Sequence, residues 1–190
     1  YYHNDTFRDI EKLVKKIKKS DKGLSILYGE RGTGKTSVIN YISSKLDRIV
    51  ILIPNNMIDQ TINNPDFRKF LKKYYKPVII LDDCEIIFNQ TFAKSNISVN
   101  NLLQIVDGFL SESMEVNIIL IFNVVDDDEI DHSLMECNNL ISAIKFVDLS
   151  AEESSNLSKH IGLDKSYKKE TKLVDVIKGR KNREKIKTGF

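Results

Sequence analysis

The 190 residues carry 41% hydrophobic and 29% charged side chains, enough apolar mass for one well-buried core and too little length for two large ones. No apolar run reaches the ~20 residues that cross a bilayer, so no membrane span is encoded. With 29 basic against 27 acidic residues the net charge is only +2, which excludes a globally polyanion-seeking surface and leaves any basic patch to be local.

The chain opens Tyr1-Tyr2-His3, without an initiator Met or a basic-then-apolar leader, and reads as a fragment of something longer. Ile10, Leu13, Val14 and Ile17 then recur at helical spacing, with Lys at 12, 15, 16, 18 and 19 forming a solvated face around them. Five apolar or β-branched runs follow: Leu24 to Tyr28, Arg48 to Ile53, Val78 to Asp82, Val116 to Phe122 and Ile144 to Leu149. Near-continuous apolarity marks strands covered on both faces, as in a parallel sheet. Helical stripes lie between them, at Val38, Ile39, Ile42, Leu46 and at Leu102, Leu103, Val106, Phe109, Leu110. The repeated strand–helix–strand pattern predicts an α/β fold with a five-stranded parallel sheet between helical layers.

After Leu149 the pattern changes. Ser150 with Glu153 reads as a capping box that opens a helix ending at His160-Ile161-Gly162. A shorter helix is expected over Glu170 to Ile177, before a basic stretch at 178–187 with almost no apolar content. Residues 1–22 are thus read as an N-terminal helix and linker, 23–150 as the core, and 151–190 as a small helical appendage with a basic tail. Cys84 and Cys137 lack metal-ligand spacing and read as reduced thiols of a cytoplasmic protein. His3, His132 and His160 are scattered and carry no recognisable chemistry.

Two stretches do carry chemistry. Gly29-Glu30-Arg31-Gly32-Thr33-Gly34-Lys35-Thr36 fits the pattern GxxxxGK[ST], and Ser37 continues it into a helix. Its glycines let the backbone wrap a phosphate with N–H groups inward, while the following helix brings its positive end to the anion. Lys35 would neutralise the outer phosphates, and Thr36 would offer its hydroxyl to Mg2+. The second stretch, Val78-Ile79-Ile80-Leu81-Asp82-Asp83-Cys84-Glu85, ends a strand in carboxylates. Asp82 suits the metal. Either Asp83 or Glu85 suits the attacking water, since both project to one side if the backbone stays extended.

The order of these motifs, GERGTGKT, ILDDCE, NLLQIVDGFL, IILIFN, EIDHSLMECNNLI and IKFVDLSAEE, resembles the AAA ATPase module of the AAA+ superfamily over roughly residues 20–162. The likeness is nearest to short bacterial and phage-type AAA proteins. It implies a three-layer P-loop NTPase with a small C-terminal helical lid, ATP (rather than GTP) and Mg2+ as ligands, and ADP as product. It also implies that Asn123 orients the lytic water, a role its place after a buried strand does not by itself distinguish from that of a turn residue.

Departures from the family pattern are informative. The two positions where such proteins carry arginines that reach a neighbour's site are Glu136 and Asn139. An ATPase without its own arginine finger is therefore expected, slow alone, in a homo- or hetero-oligomer whose partner supplies an arginine, or with Arg31 substituting in cis. After the second strand Met57 stands where a polypeptide-gripping aromatic would be expected, which weighs against threading of unfolded chains. Arg180 is a weak match to the family's second sensor. A nucleotide-dependent switch with little turnover is the alternative reading. A nucleic-acid-associated module is the third, supported only by the basic tail and the Lys-rich first helix.

Overall fold

The computed structural model describes residues 4–88, 97–108 and 114–179. Helix α1, Asn4–Lys19, precedes strand β1, Gly23–Gly29, and helix α2, Lys35–Lys45. Strand β2, Val50–Ile53, is followed by two short helices that the sequence reading left unassigned, α3 (Asn55–Ile62) and α4 (Pro65–Leu71). Pro65 starts the second of these, and the Asn64 side chain caps it by accepting from the Asp66 N–H at 2.9 Å. Strand β3, Val78–Leu81, helix α5, Glu85–Phe88, helix α6, Ile97–Val106, and strand β4, Asn117–Phe122, come next. Helix α7, His132–Met135, strand β5, Leu140–Phe146, and helix α8, Ala151–His160, follow. A last helix, α9, covers 173–179.

The five strands form one parallel sheet in the order β2-β3-β4-β1-β5. Strands β1, β3 and β4 are buried along their whole length, as apolar runs covered on both faces must be. The edge strands β2 and β5 are only partly covered, because each lacks a neighbour on one side. Alternation divides the inner strands between two cores. Leu24, Ile26, Ile79, Leu81, Ile118 and Leu120 face α3 to α7. Leu27, Val78, Ile80, Ile119 and Ile121 face α1 and α2, where Ile10, Leu13 and Ile17 are fully buried.

The strand expected at 144–149 instead occupies 140–146. Its register runs from Leu24↔Leu140 to Gly29↔Phe146, so Leu149 lies beyond the sheet and pairs with Thr171 in an antiparallel bridge. Ser142 and Ala143 disguised the strand's first half, since an edge position tolerates small and polar residues. Asp107 ties the end of α6 to the start of β5. Its carboxylate accepts from the N–H groups of Asn138 (2.7 Å) and Asn139 (3.0 Å) and from the Asn139 amide (2.7 Å).

The capping box at Ser150 and Glu153 forms in both directions, at 3.2 and 3.0 Å. At the other end of α8, Gly162 takes φ 77° and the helix closes by Leu163 N–H to Ser158 (2.9 Å) and Gly162 N–H to Lys159 (3.0 Å), the paired bonds of a Schellman ending. Leu149, Leu157, Leu173 and Val176 make a small separate core under α8 and α9. Phe109, Leu110, Arg180 and the tail to 187 lie outside the described residues.

Candidate functional site

The chain leaves β1 toward one face of the sheet, into α2, and leaves β3 and β4 toward the other face, into α5 and α7. That divergence opens a crevice at the carboxyl ends of the strands, where α/β sheets hold ligands. Gly29, Gly32 and Gly34 at its rim have φ of 143°, 90° and 108°, values open to glycine and costly for other residues. A Cβ on Gly29 would collide with the Phe146 carbonyl, and one on Gly32 would lie 2.6 Å from the Val174 methyl. Gly34 occupies the N-cap of α2, so no cap side chain bonds to the first-turn N–H groups. The Thr33 hydroxyl donates to the Glu30 carbonyl at 2.8 Å and braces the loop from within.

Lys35 is 4% exposed and donates to the carbonyls of Gly29 (2.6 Å) and Glu30 (2.7 Å). Burial pushes its ammonium down to about 8, against the opposing pull of Glu85, Asp82 and Asp83. Thr36 and Ser37 are exposed on the first turn of α2.

Across the crevice the backbone does not stay extended after Leu81. Asp83 takes φ 54° and Glu85 opens α5, because the Cys84 N–H bonds to the Ile121 carbonyl (2.8 Å) and its side chain is fully buried. The expectation that strand periodicity alone would align the two carboxylates is corrected: a turn brings them together. Asn123, directly after β4, donates its amide to Asp83 Oδ1 and to Glu85 Oε1 (3.1 Å), and its N–H to Glu85 Oε2 (3.1 Å). Arg31 reaches over from the glycine loop, with Nη2 3.3 Å from Glu85 Oε1 and 3.9 Å from Asp83 Oδ1.

Environment separates the carboxylates. Burial raises the carboxyl of Asp82, which accepts the Asp83 N–H at 3.0 Å. Burial also works to raise Glu85, but its donors, Asn123 and Arg31 among them, outweigh it and hold that group low. The Thr36 hydroxyl and the Asp82 carboxylate are hard oxygen donors of the kind Mg2+ takes, and the glycine rim leaves the backbone uncovered for a phosphate chain. The residues present fit both groups.

The crevice has a volume of about 440 Å3, within the range of small-molecule sites. Arg31, Lys35, Asp83 and Asn123 line one side, and Leu173, Val174, Ile177 and Lys178 line the other. The sequence reading placed a helix over Glu170 to Ile177 within the expected lid but named none of its residues as part of the site. The contact is specific: the Val174 N–H donates to the Gly32 carbonyl at 3.0 Å, and Lys172 pairs with Glu30. Only the apolar spacing of Leu173, Val176 and Ile177 signalled that this helix had something to cover.

Glu136 is exposed just past α7. The Asn139 amide is committed within the chain, to Val106 O (3.0 Å) and Asp107. Met57 is half-exposed on α3.

The chain matches the family model of the ATPase family associated with various cellular activities (AAA) over residues 25–147. No curated protein matches it.

Proposed function

The chain belongs to the ATPase family associated with various cellular activities, and from that premise we propose that it binds Mg-ATP at residues 29–37 and hydrolyses it slowly when alone. The observation that carries this reading is the meeting of Asn123 with Asp83 and Glu85 in the crevice that also holds Lys35. Lys35 balances charge on the outer phosphates. Leu173, Val174 and Ile177 offer an apolar wall for the base, with residues 151–179 acting as the lid. Thr36 and, in the outer sphere, Asp82 would hold Mg2+, which when bound would neutralise negative charge on the phosphates. The Asn123 amide orients a water whose proton passes to Asp83 or Glu85. The water oxygen bonds to the γ-phosphorus, the bond to the bridging oxygen breaks, and ADP and phosphate leave.

Glu136 and Asn139 bring no cation to a neighbouring site, so the rate falls short by roughly 10^3 to 10^5, the usual worth of an arginine finger. A partner subunit that supplies an arginine restores it.

One observation favours a second reading, a nucleotide-binding switch with vestigial turnover: Arg31 pairs with the two carboxylates that would hold the water. The deciding experiment is steady-state phosphate release from Mg-ATP over a wide range of protein concentration, with nucleotide affinity measured in parallel. Hydrolysis predicts release that Lys35→Ala abolishes, and that either Asp83→Asn or Glu85→Gln abolishes without loss of ATP binding. Binding without release at any concentration refutes hydrolysis and leaves the switch. Neither binding nor release refutes both.

A further inference from the structure

The sheet register places four chain segments on the edge opposite the nucleotide crevice. Val50, Val78, Asn117 and Gly23 stand in one row across β2, β3, β4 and β1, so the residues just before each emerge together at the amino edge. Ahead of β1 lie Lys18, Lys19 and Lys22 with Asp21; ahead of β2, Lys45 and Arg48 with Asp47. Ahead of β3 lie Lys72, Lys73 and Lys76, and ahead of β4 lies Glu115. Across these four segments eight cations face three carboxylates, and two of those three, Asp21 and Glu115, are paired with the single Lys76. The amino end of β5 adds Glu136 and the Asp107 that holds Asn138 and Asn139, so the cation excess lies ahead of β1, β2 and β3. Side-chain contacts confirm that the segments adjoin: Arg48 donates to the carbonyls of Ser20 and Lys18, both at 3.1 Å.

The crevice edge has the opposite sign. Glu30, Asp82, Asp83 and Glu85, with Asp126, Asp127, Asp128, Glu129 and Asp131 from the loop after β4, face Arg31, Lys35, Lys145, Lys172 and Lys178 there. The near-zero net charge therefore conceals a separation of charge that favours a nucleic-acid backbone at the amino edge over the crevice edge.

The basic edge also carries aromatic surface. Tyr75 is 77% exposed, and the Lys76 ammonium lies 5.1 Å from its ring centroid. Tyr74 is held edge-on to Phe70 at 5.1 Å. A groove of about 620 Å3 runs between this turn and residues 114–116. Lysines alone would serve any acidic surface, whereas an exposed ring among them adds a flat face for a planar group. A single strand of nucleic acid uses both, because phosphates pair with the lysines while an unstacked base lies on the ring.

From the juxtaposition of Lys72, Lys73 and exposed Tyr75 in this groove with the flanking basic segments, we infer that the amino edge of the sheet is a binding surface for single-stranded nucleic acid, separate from the nucleotide crevice. Its test is a fluorescence-anisotropy titration of a labelled mixed-sequence single-stranded DNA of about 20 nucleotides with the whole chain, at about 50 and 200 mM KCl. Binding is expected at the lower salt and falls steeply at the higher. The double variant Lys72→Ala, Lys73→Ala reduces the slope of log affinity against log salt by about 1.4. Tyr75→Ala weakens binding roughly 5- to 150-fold, while Tyr75→Phe keeps it. All three side chains are solvent-facing and outside the crevice, so circular-dichroism melts and phosphate release stay at wild-type values.

Absence of binding at low salt overturns the proposal. So does binding whose affinity and salt slope are the same in every variant, which would place it elsewhere. Two controls identify rival occupants. If the variants abolish association with phosphatidylserine vesicles and leave oligonucleotide affinity unmoved, the surface is a membrane contact. If they abolish a salt-sensitive self-association of a chain that ignores the oligonucleotide, the basic edge meets the acidic edge of a second copy. Either result refutes the nucleic-acid assignment.

Discussion

Replacing Gly29 by Ala perturbs the point where the sheet and the phosphate loop share one residue. Gly29 ends β1 with φ 143° and stands opposite Phe146 on β5. The added methyl would strike the Phe146 carbonyl oxygen and sit 3.0 Å from its carbonyl carbon. Both are backbone atoms locked in the ladder, so relief requires the strands to part. Overpacking of this kind costs about 1–3 kcal/mol, and a dihedral otherwise reserved for glycine adds about 1–3 kcal/mol. For a chain this size each kcal/mol lowers Tm by about 2–4 °C, so the expected loss is roughly 4–24 °C. Gly162→Ala supplies the comparison. Its φ is 77°, but nothing lies within 4 Å of the new methyl, so only the left-handed penalty of about 1–2 kcal/mol remains. Thermal melts of the two variants beside wild type separate contact from conformation. Should Gly29→Ala melt no lower than Gly162→Ala, the close packing of the loop against β5 is wrong.

Two further perturbations test the scaffold. Burial works to raise the Asp107 carboxyl, but donors from Cys137, Asn138 and Asn139 hold it below the ordinary range. A depressed carboxylate contributes stability at neutral pH that is lost as pH falls from about 4 through the lowered value. Asp107→Asn therefore lowers Tm at pH 7 by the equivalent of about 1–2 kcal/mol, discounted for solvent exposure, with the gap closing toward pH 3; a pH-independent gap contradicts this. Leu157→Ala hollows the small C-terminal core at a cost of about 2–5 kcal/mol. Amide exchange should accelerate over 149–179 and stay slow in β3 and β4, and uniform acceleration would show that the two cores open as one.

The GxxxxGK[ST] loop, the carboxylates after Val78-Ile79-Ile80-Leu81 and the Ser150 capping box were legible in the sequence because each is dictated locally. A glycine at a strand end, a hydroxyl three residues before a Glu, and an apolar run with nothing polar to expose need no distant partner to be read. The same holds for the α/β class, which follows from the alternation of two periodicities.

What required the tertiary structure is whatever depends on a neighbouring strand or on the register between strands. β5 begins at Leu140 rather than Ile144 because pairing with Leu24 carries Ser142 and Ala143 into the sheet, and pairing leaves no mark on the hydropathy of the paired segment. Asp83 and Glu85 converge on Asn123 through a turn held by Ile121, a residue 37 positions beyond Cys84. The docking of Val174 on Gly32 spans most of the chain in the same way. The sequence determines a nearly neutral sum of charges, but only the register of four parallel strands sorts those charges into a basic and an acidic edge, since a field depends on where charges lie and composition records only how many there are.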